Sequence, residues 1–369
     1  MTLDTSRPLR LGLVGAGGIA KAHVGVADDF PKRVRYSAVC DVNTSAAELL
    51  AARVGGAAVF TDLAEMLRYS DLDAVDLCTP HYQHAEQAIQ AARADKHVLV
   101  EKPMACSMDE CRAMVSAAEA SGVTLMVAQY QRYDPSYSGV KRKLDSGELG
   151  TIRAVRLDAM QNLSAFMPPS HWLFDGKLAG GGIVISVLVH RIDLMRWLLG
   201  PVKRVSAVCK TTRPEFTNGA EDYAWARLEF ASGAVAEVFG TYSGFRVPWG
   251  ESFTLFGDAG AMHAVPPLGE YVGPAWYASQ HSEGEKPLSW ATQLGGFLPV
   301  PEALEGLPSP RGFYNQILHF EECIRSGIEP LSSGRDNLGT MAVIFGIYES
   351  SRTGQPVDLE LLPAEAASL

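Results

Sequence analysis

The sequence predicts an α/β protein with two domains: a doubly wound parallel sheet over residues 1–128 and an α+β domain over residues 129–369. Three observations support this prediction. In the first third of the chain, short apolar runs alternate with helical patterns, as expected for a parallel sheet with crossover helices. These runs are apolar throughout, which is typical of strands buried on both faces. Beyond residue 150, strand-like stretches follow one another without intervening helices, which favours a mostly antiparallel sheet.

In the first domain, six strands alternate with helices along the chain. The predicted strands are Leu9–Val14, Val34–Cys40, Ala57–Phe60, Ala74–Leu77, His97–Val100 and Thr124–Ala128. One helix is predicted to begin near Ile19, and the others cover about Ser45–Val54, Leu63–Tyr69, His84–Ala94 and Met108–Ser121. The carboxyl ends of the strands line the ligand crevice in sheets of this kind, so polar residues at those ends are candidate site residues.

The second domain begins with a predicted helix at about Ser136–Ser146. Its predicted strands are Ile152–Met160, Val202–Lys210, Tyr223–Phe230, Ala234–Thr241 and Ser252–Phe256. We expect helices at Ile183–Leu199, Tyr314–Ser326 and Asn337–Ser351 to cover one face of this sheet. Residues Pro266–Pro310 are rich in glycine, proline and tryptophan, which predicts a long irregular segment.

Composition and charge limit the partners of the protein. The 369 residues include 32 Lys and Arg and 42 Asp and Glu, a net charge of −10, which argues against nucleic acid and anionic membranes. The six cysteines form no CxxC pair and have no histidine at metal-ligand spacing, so we expect reduced thiols and no metal site. The first ten residues lack the apolar stretch of a signal peptide, and Ile183–Leu199 is too short and too charged to span a bilayer. We therefore predict a cytoplasmic protein.

The first chemical motif is a glycine-rich turn between the first strand and the first helix, with the pattern GxGxxA. Gly15 allows the tight turn, Gly17 lets the backbone approach a pyrophosphate, and Ala20 permits close packing of the helix on the strand. The start of the helix offers free N–H groups to that anion. The predicted cofactor-binding residues of the turn are Gly15, Ala16, Gly17, Gly18 and Ile19.

An acidic residue, Asp41, ends the second strand, 24 positions after Gly17. A carboxylate at this place accepts hydrogen bonds from the adenosine ribose hydroxyls and repels a 2′-phosphate. Neither Val42 nor Asn43 supplies a cation for that phosphate. The sequence therefore predicts NAD rather than NADP, although a displaced Asp41 and the amide of Asn43 leave NADP use open.

Two further strands of the first domain end in polar residues. Thr79-Pro80 follows the fourth strand, and Glu101-Lys102-Pro103 follows the fifth. A lysine in a partly dry pocket beside a glutamate can hold a proton and hydrogen-bond an alcohol or carbonyl oxygen. A single lysine at a strand end is more often simply solvated, so this motif needs support from other parts of the chain.

That support comes from the whole set of motifs, which resembles the Gfo/Idh/MocA oxidoreductase family. The matching motifs are the glycine turn, TPxxxH at 79–84, DKHV at 95–98 leading into EKP at 101–103, QYQRYDP at 129–135, SGELG at 146–150, the triple glycine at 180–182, HRID at 190–193 and YESSRTG at 348–354. The resemblance spans nearly the whole chain. The family includes inositol dehydrogenases and glucose–fructose oxidoreductase.

The resemblance implies an NAD(P)-binding Rossmann domain followed by an open-faced sheet domain that binds a sugar or cyclitol. Lys102 matches the catalytic lysine of the family and His190 its acid/base histidine. The positions implied to lie along the cofactor are Thr79, Pro80, His84, Glu101, Lys102, Gln129 and Trp172. The positions expected to contact substrate are Lys102, Tyr130, Arg132, Trp172, Ser186, His190 and Asp193, with Tyr133, His171, Asp175 and Tyr242 as further candidates.

The helix over Ile183–Leu199 carries polar residues at regular spacing. Ser186, His190, Asp193 and Trp197 recur at i, i+4, i+7 and i+11, which places them on one stripe of a helix. Such a row indicates either a structural network or a ligand-facing wall. Ser186 departs from the family, where an aspartate often stands four residues before the histidine, and Leu188 stands where a glycine is common. Serine cannot supply the negative charge that would hold Lys102 or His190 protonated. We expect Lys102 and His190 to suffice for proton exchange without it, since an ordinary histidine titrates near pH 6.5.

These motifs favour an NAD-dependent dehydrogenase of a sugar, glycoside or inositol, with two alternatives. One is a glycosidase that keeps NAD bound, oxidises the sugar transiently, eliminates the substituent, adds water and reduces the product again. The other is a non-catalytic NAD-binding sensor, against which the retained Lys102 and His190 argue. An open sheet face needs a cover, and the resemblance implies that paired subunits supply it, so we also predict a homodimer or homotetramer formed through the C-terminal sheet.

Overall fold

The computed structural model describes residues 6–244, 249–264, 274–279, 286–289 and 306–362. The contacts divide the chain into two compact units. The first consists of Met1–Tyr133 and Arg311–Leu338, and the second of Asp134–Pro310 and Gly339–Leu369. The chain thus leaves the first unit, forms most of the second, and returns. A single boundary after residue 128, as expected from the sequence, does not describe this return.

The first unit is built on a parallel sheet. Its strands are β1 Leu9–Val14, β2 Val34–Cys40, β3 Ala58–Phe60, β4 Ala74–Leu77, β5 His97–Val100 and β6 Leu125–Val127. Its helices before residue 133 are α1 Ala20–Val24, α2 Val26–Asp29, α3 Thr44–Arg53, α4 Leu63–Leu67, α5 His84–Arg93 and α6 Met108–Ser121. The strand order is β3-β2-β1-β4-β5-β6, and every pair is parallel. The predicted doubly wound sheet is confirmed, with its switch point between β1 and β4.

Polar residues at the helix ends explain where several of these helices begin and stop. Asn43, Asp62 and Ser107 each accept a backbone N–H with the side chain and so cap α3, α4 and α6. α6 ends at Gly122, whose φ of 64° lies in the left-handed region that glycine adopts without strain. The side chains that point inward from β1, β2 and the helices form one apolar core.

The rest of the chain forms a second sheet and further helices. These elements are α7 Pro135–Asp145, β7 Ile152–Gln161, α8 Gly176–Ala179, α9 Val189–Leu199, β8 Val202–Lys210, β9 Tyr223–Phe230, β10 Val235–Thr241, β11 Trp249–Gly257, β12 Gly260–Ala264, β13 Pro274–Ser279, β14 Lys286–Ser289, α10 Gly312–Ser326, α11 Gly334–Thr353 and β15 Val357–Asp358. The strand order is β14-β13-β12-β11-β7-β10-β9-β8-β15. Only β7 and β10 pair in parallel among the described strands of this sheet, which confirms the mostly antiparallel prediction.

One helix covers a different sheet from the one expected. α10 contributes Tyr314, Ile317, Leu318 and Phe320 to the core of the first unit, so the expectation that Tyr314–Ser326 covers the second sheet is wrong. The amphipathic pattern of α10 shows that it needs an apolar partner but does not say which one. The other two helices do meet the second sheet. Leu188, just before α9, packs under Gly240, and Ser350 of α11 accepts the backbone N–H of Ala207 at 2.9 Å.

The segment Pro266–Pro310 is more regular than predicted. β13 and β14 fall within it, so the prediction of an irregular segment is wrong at 274–279 and 286–289. Residues 266–273, 280–285 and 290–305 lie outside the described residues. The helix predicted over Ile183–Leu199 also differs in detail, because its first part, Val184–Leu188, is one π-helical turn.

In the described part of the chain, one helical stretch has the length and hydropathy of a membrane span, Gly176–Leu199. Of its most apolar window, 78% is buried inside the protein, so this is a core helix. Its charged residues have partners there. Arg191 forms an ion pair with Glu251, and Arg196 donates to Thr340 Oγ1 at 2.7 Å.

Candidate active site

The glycine turn lies between β1 and α1 and leaves its backbone open. Gly15 has a φ of 91°, and a Cβ built on it would lie 2.7 Å from the carbonyl oxygen of Cys78, so only glycine fits here. Gly17 and Gly18 are exposed, and a Cβ on either meets no heavy atom of the described residues within 4 Å apart from chain neighbours. This turn fits the close approach of a pyrophosphate.

The Asp41 carboxylate lies beside the turn. Its Oδ2 accepts the backbone N–H of Ala16 at 2.6 Å, and its Oδ1 accepts that of Asn43 at 2.8 Å. These two bonds fix an acidic acceptor next to the glycine backbone. That arrangement suits a ribose with free hydroxyls and opposes a 2′-phosphate, so the residues present fit NAD.

A buried histidine, His84, joins the loops that follow β4 and β5. Its two ring nitrogens are each 2.8 Å from a carbonyl oxygen, one of Thr79 and one of Pro103. Burial lowers the pKa of His84. Thr79 Oγ1 in turn donates to Gln87 Oε1 at 2.6 Å. The structure therefore brings together Thr79-Pro80, His84 and the cis peptide Lys102–Pro103.

Glu101 and Lys102 form the polar end of β5. Glu101 is buried and its Oε2 accepts the backbone N–H of Lys102 at 3.1 Å, while Lys102 itself is half-buried. Burial lowers the pKa of the Lys102 ammonium, and the Glu101 charge partly opposes this effect. A lysine in this setting releases its proton closer to neutral pH than a solvated lysine does.

The segment after β6 supplies further predicted site residues. Gln129 is buried, and a 3₁₀ turn follows at Tyr130–Tyr133. The Tyr130 ring stacks on Phe313 with 4.2 Å between centroids. Arg132 is buried and pairs with Asp336 at 2.6 Å, which is a structural partner within the first unit. A substrate contact by Tyr130 or Arg132 stays a prediction.

In the second unit, the polar row on the central helix divides into two parts. Ser186 is buried in the π-helical turn close to the Tyr242 hydroxyl, and His190 is half-buried one turn further on. π-Helical turns are frequent at functional sites. Asp193 accepts the Thr340 hydroxyl at 2.8 Å, so at this position the row is a structural network.

The remaining predicted pocket residues lie in the loop before the triple glycine. Trp172 begins a 3₁₀ turn, Trp172–Phe174, and its half-buried ring is 5.3 Å from that of His171. Asp175 caps α8 through the backbone N–H of Lys177. Contact between Trp172 and a nicotinamide stays a prediction.

Sequence reasoning missed Glu221, which fixes the start of the helix that carries His190. Its carboxylate accepts the backbone N–H groups of Gly182 at 2.7 Å and Val184 at 2.8 Å, and the Tyr348 hydroxyl donates to it at 3.1 Å. Burial raises the pKa of Glu221 to about 7. A Cβ at Gly182 would overlap the Glu221 carbonyl oxygen, so the triple glycine was the available signal of a close backbone approach.

The six-stranded sheet, its open glycine turn and the acidic end of β2 define a dinucleotide-binding protein. Residues 9–129 match the model of the oxidoreductase family with an NAD-binding Rossmann fold, and residues 137–263 match the GFO/IDH/MocA C-terminal domain. The chain belongs to the Gfo/Idh/MocA oxidoreductase family, and the resemblance found in the sequence is confirmed.

Several proteins similar to this chain are named as dehydrogenases of sugars or inositols. The D-apiose dehydrogenase of Paraburkholderia graminis is 28% identical, with 100% of this chain and 94% of that protein covered. The inositol 2-dehydrogenase 2 of Saccharopolyspora erythraea is also 28% identical, with 97% of each covered. Among solved structures, the WlbA dehydrogenase from Bordetella pertussis in complex with NADH and UDP-GlcNAcA has a TM-score of 0.81 at 27% identity, with 98% of this chain and 100% of that chain covered.

Proposed function

We propose that this chain oxidises a ring carbinol of a sugar, glycoside or inositol with NAD, and that Lys102 and His190 handle the proton. The observation that carries the proposal is Lys102, which is half-buried beside Glu101 at the carboxyl end of a Rossmann strand. The pKa of its ammonium group is lowered. The relatives support the substrate class, because their names give apiose and inositol as substrates.

Different residues bind the cofactor and move the proton in this proposal. Bound NAD supplies the hydride acceptor at C4 of the nicotinamide. The turn at Gly15 and Gly17 holds the pyrophosphate, and Asp41 accepts hydrogen bonds from the adenosine ribose. The Lys102 ammonium donates a hydrogen bond to the carbinol oxygen and stabilises the negative charge that develops there. The His190 imidazole takes the hydroxyl proton, since histidine exchanges protons near neutral pH.

The first experiment follows reduced-nicotinamide absorbance while the protein and NAD meet a panel of sugars, inositols and glycosides. We expect one ring class to reduce NAD. Lys102→Ala and His190→Ala should each lower kcat/KM by about 10²–10⁴-fold. Lys21→Ala, at an exposed lysine of α1, is the matched control and should leave kcat/KM unchanged.

Two results would change the assignment. If either variant turns over like the wild type, that residue does not handle the proton. If a glycoside is cleaved while no free NADH accumulates, the redox-cycling glycosidase replaces the dehydrogenase.

We also propose that a second copy of the chain covers the open face of the second sheet, giving a homodimer or homotetramer. β9 alternates exposed and buried residues, so one of its faces is left to solvent. On that face Val208 and Trp225 are each 49% exposed. The Trp225 ring packs against Tyr223 and Phe239, with centroid distances of 5.7 and 5.0 Å. An aromatic patch of this kind is typical of an interface.

The proposed location of the protein is the cytoplasm. All six cysteines lie in described parts of the chain and are free thiols, which supports a reducing compartment.

A further inference from the structure

A fully buried histidine lies behind the Glu101–Lys102 pair. His23 is on α1, directly after the glycine turn, and is 0% exposed. Its Nδ1 is 3.0 and 3.1 Å from the two carboxylate oxygens of Asp76 in β4, and its Nε2 is 3.1 Å from Glu101 Oε1. The function proposed above does not use this residue.

The surroundings of His23 favour its charged form. Both ring nitrogens lie within hydrogen-bond distance of a carboxyl group, and an imidazolium donates from both nitrogens. Burial is the largest single effect and opposes this charge, but Asp76 and Cys78 together outweigh it and raise the pKa of His23 well above its usual value. Gln316 fits the same state. Its Nε2 is 3.3 Å from His23 Nε2 and its Oε1 has no hydrogen-bond partner among the described residues, so a reversed amide would let that oxygen accept.

The other polar groups around His23 come from the elements packed against it. They are Cys78 after β4 and Gln316 from α10, with Tyr36 from β2 bonded to Asp76. Tyr36 donates to Asp76 Oδ2 at 2.8 Å, so Asp76 has a second donor besides the imidazolium. His23, Asp76 and Cys78 lie within 4.8 Å of one another, a spacing that also suits a metal ion. An imidazolium, however, has no lone pair to offer a metal.

We propose that His23 is a positioning residue for Lys102: anchored by Asp76, the imidazolium donates to Glu101 and holds it oriented beside Lys102. The proposal rests on the proposed function of Lys102. Its geometric basis is that both oxygens of Glu101 are held. Oε1 accepts from His23 at 3.1 Å, and Oε2 accepts the Lys102 backbone N–H at 3.1 Å.

Loss of the His23 charge should lower the pKa of Lys102, which is the opposite of what the loss of charge repulsion alone would do. Removal of a nearby cation alone would raise the pKa of Lys102. Without the imidazolium, however, the buried Glu101 loses the cationic donor at its Oε1, and a buried carboxyl group without such a partner favours its neutral form, so Lys102 loses the counter-charge that raises its pKa. We therefore expect the pKa of Lys102 to fall by about one pH unit.

The test measures the titration of Lys102 directly in the cofactor-free protein. Competitive labelling with an amine-reactive anhydride over a pH series, read by mass spectrometry, reports the fraction of free amine. His23→Gln keeps an amide donor for Glu101 but removes the charge. Tyr36→Phe is the control, because it removes a hydrogen bond to Asp76 and keeps all the charges. At a fixed pH below the midpoint, Lys102 should be about tenfold more reactive in His23→Gln and unchanged in Tyr36→Phe.

An unchanged or raised Lys102 midpoint in His23→Gln overturns the proposal. If that variant does not fold, His23→Asn gives the same test, because it also replaces the charged ring by a neutral amide, and an unchanged or raised midpoint there also overturns the proposal. The two hypotheses separate cleanly. If the midpoint falls while Lys102→Ala retains full turnover, His23 positions Lys102 as proposed and the proton-handling role of Lys102 is wrong.

Discussion

Replacement of Glu221 by glutamine should flatten the pH dependence of unfolding of the second unit. Burial raises the pKa of Glu221 from 4.5 to about 7, so the folded carboxyl keeps its proton up to about pH 7 while the unfolded one releases it near 4.5. The stability linked to this proton is fully present below pH 4.5 and is lost as the pH rises through about 7. At 1.36 kcal/mol per pH unit, the loss amounts to about 3 kcal/mol.

The assay is urea-induced unfolding at several pH values between 4.5 and 8. In Glu221→Gln this loss of about 3 kcal/mol should disappear from the profile. The glutamine side chain also places an N–H donor against the backbone N–H of Gly182 or Val184. Because two donors then face each other, the variant should lose about 1–3 kcal/mol of stability at every pH. Tyr348→Phe removes one bond of 3.1 Å that lowers the pKa of Glu221 and keeps the carboxyl, so it should lower stability but retain or steepen the pH dependence. Parallel profiles for the wild type and Glu221→Gln would refute the reasoning.

Two further predictions concern the glycine motifs and the open sheet face. Gly17→Ala should unfold like the wild type, because its Cβ meets no neighbour among the described residues, but calorimetry should show NAD binding at least about tenfold weaker. Gly182→Ala should lose about 1–3 kcal/mol of stability, because its Cβ overlaps the Glu221 carbonyl oxygen. Equal unfolding free energies of these two variants would contradict this. Trp225→Lys should reduce the mass measured by light scattering to the 39.8 kDa of one chain, whereas Leu49→Lys, at a 75% exposed site of the first unit, should leave it unchanged. A wild type that already has the mass of one chain would reject the proposed interface.

The first sheet could be predicted almost residue by residue because all of its strands except the edge strand β3 are almost wholly buried. β4, for example, is buried at all four positions and is therefore apolar except at Asp76. The partner of α10 could not be predicted, since an apolar stripe does not encode which surface it covers. The π-helical turn at Val184–Leu188 was also hidden, because counting at i and i+4 assumes an unbroken α-helix.

Within the candidate site, the residues that could be found from the sequence are those that belong to a local sequence motif. Asp41 and Lys102 were found in this way. Glu221 and His23 were missed because their partners are distant in sequence. A usable signal was present all the same. Asp76 is a charged residue in an otherwise apolar strand, and a buried charge requires a buried partner.

The return of the chain at residue 311 affects the order in which the protein can be completed during synthesis. Tyr314, Ile317 and Phe320 belong to the same core as Leu9 and Leu11, although about 300 residues separate them in sequence. A nascent chain that has produced the whole glycine turn and all six parallel strands still lacks one wall of that core. The cofactor-binding half begins first on the ribosome and is finished only after most of the other half has been made.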